Sequence, residues 1–207
     1  MTSLSSVPCR HRLSAIFLVL LAGLVLPAQA SAEAEAGEFF VSAYAGRAAK
    51  ERMLDIITRF NTGFIDSYLV AVAPGYVIGQ GKNIRSDVEL QVVRHWGEQD
   101  HWEFNAAYIA RWMNFPWDHR LDTRFAVGAG LSWATEVPFI EPRAKELGEE
   151  DSARFLGYVV IEAEFKPPRP SNWSGFVRLH HRSDASGIFH NTRGGSNFIT
   201  FGTRYHF

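Results

Sequence analysis

The stretch LDTRFAVGAGLSW, residues 121–133, alternates with a period of two. Leu121, Thr123, Phe125, Val127, Ala129, Leu131 and Trp133 fall in one row; Asp122, Arg124, Ala126, Gly128, Gly130 and Ser132 fall in the other. Successive residues of a strand point to opposite faces. The first row suits hydrocarbon, with an aromatic ring at its end, and the second is small and polar, suited to a narrow interior. A soluble barrel would reverse that sense, and alternation alone does not separate the two.

The same pattern recurs along the chain. Eight alternating stretches are predicted, roughly at 38–46, 65–78, 86–96, 102–113, 121–133, 154–166, 173–183 and 197–207. Segments of about ten residues with alternating hydrophobicity, separated by turns, are the signature of a transmembrane barrel. The sixth places Phe155, Val159, Ile161, Ala163 and Phe165 outward and Tyr158, Glu162 and Glu164 inward. The fourth puts Trp102, Phe104, Tyr108 and Trp112 opposite Glu103, Asn105 and Arg111. Eight strands leave room inside for side chains and not for a pore, so the inner charges Arg111, Arg124, Glu162 and Glu164 are expected to pair there. The predicted fold is all-β, an eight-stranded antiparallel transmembrane β-barrel.

The ends of the chain agree. Arg10, His11 and Arg12 precede an apolar run from Leu13 to Leu26, and PAQA at 27–30 supplies the small residues of a cleavage site after Ala30. The reading is a signal peptide at 1–30 and one barrel domain at 31–207, with the outer membrane as destination. Losing Arg10 and Arg12 takes Lys+Arg from 21 to 19 against 22 Asp+Glu, a net charge of −3 that gives no support to nucleic-acid binding. The single cysteine, Cys9, leaves with the signal, so neither a disulfide nor thiol chemistry is expected. The last strand, SNFITFGTRYHF, ends on Phe207 and resembles the C-terminal strand that outer-membrane barrels present to their assembly machinery.

Turn-rich connections (GQGKN, FPWDHR, KPPRPSN) follow strands two, four and six. Longer ones, at 46–63, 136–152 and 186–196, follow strands one, five and seven. Short turns on the periplasmic side and longer loops outside fit an even strand count with both termini periplasmic. AAKERMLDIITRF, at 48–60, reads either as a helical turn or as an extension of two strands. The acidic run at 145–154 is most simply a solvated outer loop.

The seventh strand, WSGFVRLHHRS, breaks its own apolar row. Trp173, Val177 and Leu179 share a face with His181 and Ser183, while Arg178, His180, Arg182 and Asp184 face the interior. Residues i and i+2 of a strand lie about 6.6 Å apart. An imidazole can lean across that gap to the hydroxyl. A His–Ser pair is the core of a hydrolase in which the imidazole accepts the proton as Oγ attacks an acyl carbonyl. Facing outward at outer-leaflet depth, its substrate would be a lipid.

His181-Arg182-Ser183 on the penultimate strand, followed by Asp184-Ala185 and a glycine-containing loop into an aromatic-ended strand, resembles the lipid A 3-O-deacylases of the PagL type. DSYLVAVAPGYVIG, at 66–79, also looks like the second strand of the wider PagL-like acyloxyacyl hydrolases. The resemblance implies an eight-stranded outer-membrane barrel that hydrolyses the 3-O-linked 3-hydroxyacyl chain of lipid A without any cofactor, with lipopolysaccharide as substrate and outer-membrane lipid as surroundings. It makes Ser183 the nucleophile and His181 the base. The family's motif is His-x-Ser-Asn-Ala, with a Glu about a dozen residues after the Ser completing a triad. Two departures stand out. The motif's Asn is Asp184 here, and the region of that Glu reads RGGSNF, with no carboxylate. By parity Asn197 is the outward residue nearest that place. It can orient the imidazole through its carbonyl but supplies no negative charge.

The alternative is a non-enzymatic barrel with a structural or surface-binding role, His181 and Ser183 then being interface residues at headgroup depth. His180 and His181 point to opposite faces and do not form a metal pair, and no metal-ligand set is expected. Pairing with a second copy of the chain is left open.

Overall fold

The computed structural model describes residues 37–141, 153–167, 171–184 and 195–207. The leader and its cleavage site, most of the acidic run at 145–154, His190 and the loop at 185–194 lie outside the described residues. Eight antiparallel strands close into a barrel in sequence order: β1 (Phe39–Ala49), β2 (Phe64–Gln80), β3 (Ile84–Gly97), β4 (Trp102–Trp112), β5 (Asp122–Ala134), β6 (Phe155–Lys166), β7 (Trp173–Ser183) and β8 (Gly195–His206). β8 returns to β1, Phe40 opposite His206, so the sheet has no open edge. Each strand lies within a few residues of its expected bounds. The ambiguous segment resolves into a continuation of β1 to Ala49 and then a short helix, α1 (Met53–Arg59), ended by Phe60 in the left-handed conformation at φ 50°.

The barrel is inside-out relative to a soluble protein. Val72 is 53% exposed and Leu90 62%, on a band flanked at one end by Phe39, Trp112, Trp173 and Phe207 and at the other by Trp96, Trp102, Phe104 and Trp133, all exposed. An apolar belt between two aromatic girdles matches the hydrocarbon layer and its two interfaces. With its charges inside and its Val, Leu and Phe outside, the chain is an outer-membrane barrel.

The interior is solid with charge. Arg178 reaches Glu89 at 2.7 Å and 3.1 Å and Glu162 at 2.7 Å; Arg204 reaches Glu164 at 2.5 Å and Glu162 at 3.0 Å. Arg111 reaches Asp87 at 2.5 Å and also pairs with Glu162 and Glu164. All these side chains are buried. The guanidiniums of Arg178 and Arg204 also lie over aromatic rings, 4.9 Å from Tyr44 and 4.9 Å from Phe40 respectively. Buried charges are tolerable only when paired and hydrogen-bonded, and here each carboxylate meets at least one guanidinium. Arg124 pairs with Asp122 of its own strand at 3.2 Å, because i and i+2 share a face. On the periplasmic side the His206 imidazole bonds Glu38 at 2.5 Å and holds that carboxyl below its usual range.

Candidate functional site on the outer wall of strands six to eight

Strand pairing sets three levels across the outer wall. Ile161, Leu179 and Ile199 stand side by side; next come Val159, His181 and Asn197; then Gly157, Ser183 and Gly195 toward the extracellular end. Arg178, His180, Arg182 and Asp184 are buried on the interior side, while His181 and Ser183 are half-buried on the outer face. The sequence-expected orientation of this row therefore matches the structure.

His181 and Asn197 meet across the β7–β8 ladder. The nitrogen Nδ1 of His181 lies 2.7 Å from Oδ1 of Asn197 and 3.1 Å from the main-chain oxygen of Ser196. Both partners are carbonyl oxygens, which only accept, so Nδ1 carries the ring proton. The basic nitrogen is then Nε2, which has no hydrogen-bond partner among the described residues. The amide is itself oriented, because Nδ2 of Asn197 donates to the main-chain oxygen of Glu51 at 3.0 Å. That tether presents Oδ1, not the amide nitrogen, to the imidazole.

Ser183 is flanked by glycine on both neighbouring strands, Gly157 on β6 and Gly195 on β8. A Cβ added to Gly195 would lie 2.6 Å from the carbonyl oxygen of Arg182 and 3.4 Å from Cβ of Ser183. A side chain there would crowd the hydroxyl and push β8 away from β7.

The loop after β1 supplies what periodicity could not show. Helix α1 folds back over the outer wall and lays Ile56 on Ala49 and Leu179, with Met53, Ile57, Ile161 and Ile199 around them. Leu179 and Asn197, outward by parity, are for this reason covered. The other side of the helix shows Leu54, and beyond its end Phe60 is 91% exposed. The two ends of the loop are tied by Glu51, whose carboxylate accepts from the Thr62 hydroxyl and from the Gly63 amide at 2.9 Å. The Thr62 bond, foremost, holds the Glu51 carboxyl below its ordinary range. The outer face at His181 is thus bounded on its periplasmic side by α1, packed on Leu179 one level below.

Comparison with known proteins bears on the fold. No protein-family model matches the chain, and no curated protein matches it. Among solved structures, the crystal structure of Neisserial surface protein A is similar at a TM-score of 0.50 and 14% identity, over 82% of this chain and 97% of that one. The crystal structure of the outer membrane enzyme PagL is similar at 0.47 and 12%, over 79% and 97%. The solution structure of outer membrane protein W from E. coli is similar at 0.41 and 16%, over 84% and 99%. The likeness to Neisserial surface protein A shows a shared barrel architecture and nothing finer.

Proposed function

We propose that this barrel is a cofactor-independent serine esterase working on lipid in the outer leaflet, with the 3-O-linked 3-hydroxyacyl chain of lipid A as its substrate. The observation that supports it is the Nδ1–H of His181 bound to Asn197. It leaves Nε2 as a free base two residues from Ser183, on a face turned to acyl chains. In the first step Oγ of Ser183 attacks the ester carbonyl while Nε2 takes its proton. The tetrahedral intermediate then expels the sugar hydroxyl, which recovers that proton from the imidazolium, and water hydrolyses the acyl-serine by the same route reversed. Asn197 holds the ring in the correct tautomer. This reading requires the bond from the Ser183 hydroxyl to Nε2 to form when substrate binds, as catalytic hydrogen bonds often do.

A second reading, a barrel with no reaction to catalyse, is favoured by one observation: the third position is an amide and not a carboxylate. Mass spectrometry of lipid A from cells making either the natural chain or Ser183→Ala decides between them. Loss of one 3-hydroxyacyl mass only with the natural chain supports the esterase, and identical spectra sink it.

A further inference from the structure

A second cluster lies inside the barrel, at its extracellular end, under the short turn at 98–101 that joins β3 to β4. His95, His101 and Glu103 each offer one ligand atom, and these atoms lie within 4.8 Å of one another. All three side chains are buried. The two imidazoles stack, with centroids 4.3 Å apart and planes 12° from parallel. Nε2 of His101 is buried with no hydrogen-bond partner among the described residues. A protein interior seldom leaves such a nitrogen without a partner, and the ones that remain call for an explanation.

We propose that His95, His101 and Glu103 bind a divalent transition-metal cation of the Zn2+ type. Two imidazoles and one carboxylate form a three-ligand set that such an ion takes with a water in its fourth position. Ca2+ and Mg2+ want oxygen donors and do not suit it. The surroundings supply the supporting bonds that a metal centre needs. Nε2–H of His180 donates to Oε1 of Glu103 at 2.9 Å, and the Ser132 hydroxyl donates to the same oxygen at 3.1 Å. The Tyr158 hydroxyl donates in turn to Nδ1 of His180 at 3.0 Å. The other carboxylate oxygen, Oε2, faces Nε2 of His95 at 2.8 Å. The cation takes the place of the proton shared by that pair, and the proton is released to solvent.

The displaced tautomer has a ready acceptor. With Nε2 of His95 on the metal, its Nδ1 must carry hydrogen. Gln99 lies 3.0 Å from Nδ1 and now presents its amide nitrogen to it, while its Oε1 is buried and unbonded among the described residues. A half-turn of that amide brings Oε1 onto Nδ1–H, the outer bond that a metal-bound imidazole ordinarily makes. The ion would tie the β3–β4 turn to the lumen wall in a barrel for which no disulfide is available.

The test uses the whole barrel, without a histidine tag, extracted in detergent, stripped by chelator and equilibrated with Zn2+ or with Co2+ as a spectroscopic probe. Stoichiometric Zn2+ retained through dialysis and the intense visible absorption of four-coordinate Co2+ are expected. His101→Phe keeps a ring against His95 but removes the nitrogens, and it should weaken Zn2+ binding roughly 10–100-fold or more. His119→Ala, at an exposed position on a periplasmic turn, should change nothing. Substoichiometric Zn2+, or affinity unchanged by His101→Phe, overturns the site. Should that variant not fold, the Co2+ spectrum of the natural chain decides alone, and a pale six-coordinate spectrum overturns it.

Discussion

Asn197 stands directly across the β7–β8 ladder from His181, and its side-chain oxygen accepts the imidazole Nδ1–H at 2.7 Å. The contact is built by sheet register and held from behind by the main chain of Glu51. An amide in this place selects the ring tautomer as a carboxylate would, but it stabilises the imidazolium less. The pair therefore separates orientation from charge, and substitutions can test the two apart.

Asn197→Ala removes the orienting acceptor and should slow deacylation of purified lipid A by roughly 10²–10⁴-fold, in kcat more than in KM. Asn197→Asp keeps the acceptor and adds charge, and it should match or exceed the natural rate. Equal rates for all three chains would remove Asn197 from the mechanism.

Gly195→Val places a branched side chain where even a Cβ would lie 2.6 Å from the Arg182 carbonyl oxygen. Deacylation should fall to the level of Ser183→Ala. Heat-modified gel migration, which reports a closed barrel, should persist because the change is confined to the rim. Full activity in the valine variant would show that the space beside Ser183 is not used.

Ile56→Ser should undock α1 from Leu179. The cost is small, about 1–2 kcal/mol, because lipid rather than water covers the uncovered leucine. Limited trypsin digestion should then cut at Arg52 or Arg59 several-fold faster, with the strands still protected. Unchanged digestion would mean the helix is held by its polar ties alone.

Those ties have a pH signature. Glu51 titrates below its ordinary value because Thr62 and Gly63 donate to the ionised form. Their hold on the loop is therefore complete above the ordinary glutamate range and fades as the pH falls through the depressed value. An NMR titration of the Gly63 amide should show a midpoint below that of an ordinary glutamate, and Thr62→Val should raise it. A midpoint insensitive to Thr62 would assign the shift elsewhere.

Arg178→Met leaves Glu89 and Glu162 short of a buried partner and should cost about 3–5 kcal/mol in urea unfolding from micelles. Adding Glu89→Gln should recover part of that loss. No recovery would mean that shape, not charge balance, governs this layer.

Much of this molecule is legible in one dimension, because a strand's two-residue period assigns each side chain to a face without knowledge of its neighbours. Arg178, His180 and Arg182 inward and His181 and Ser183 outward follow from counting. So do the strand number and the charged interior. What depends on register and loop path does not follow. Parity makes Asn197 the outward residue nearest the place of the family's Glu, but the choice of Oδ1 over Nδ2 is made by Glu51, 146 residues away. The cover over Leu179 comes from a seven-residue helix whose periodicity was equally consistent with a strand. His95 and Glu103 could be assigned to the lumen by alternation, yet His101 sits in a turn, where no period applies. The β3–β4 hairpin brings its imidazole onto His95, whose main-chain N–H donates to the main-chain oxygen of His101 at 2.9 Å, and the path of that turn is not set by strand alternation.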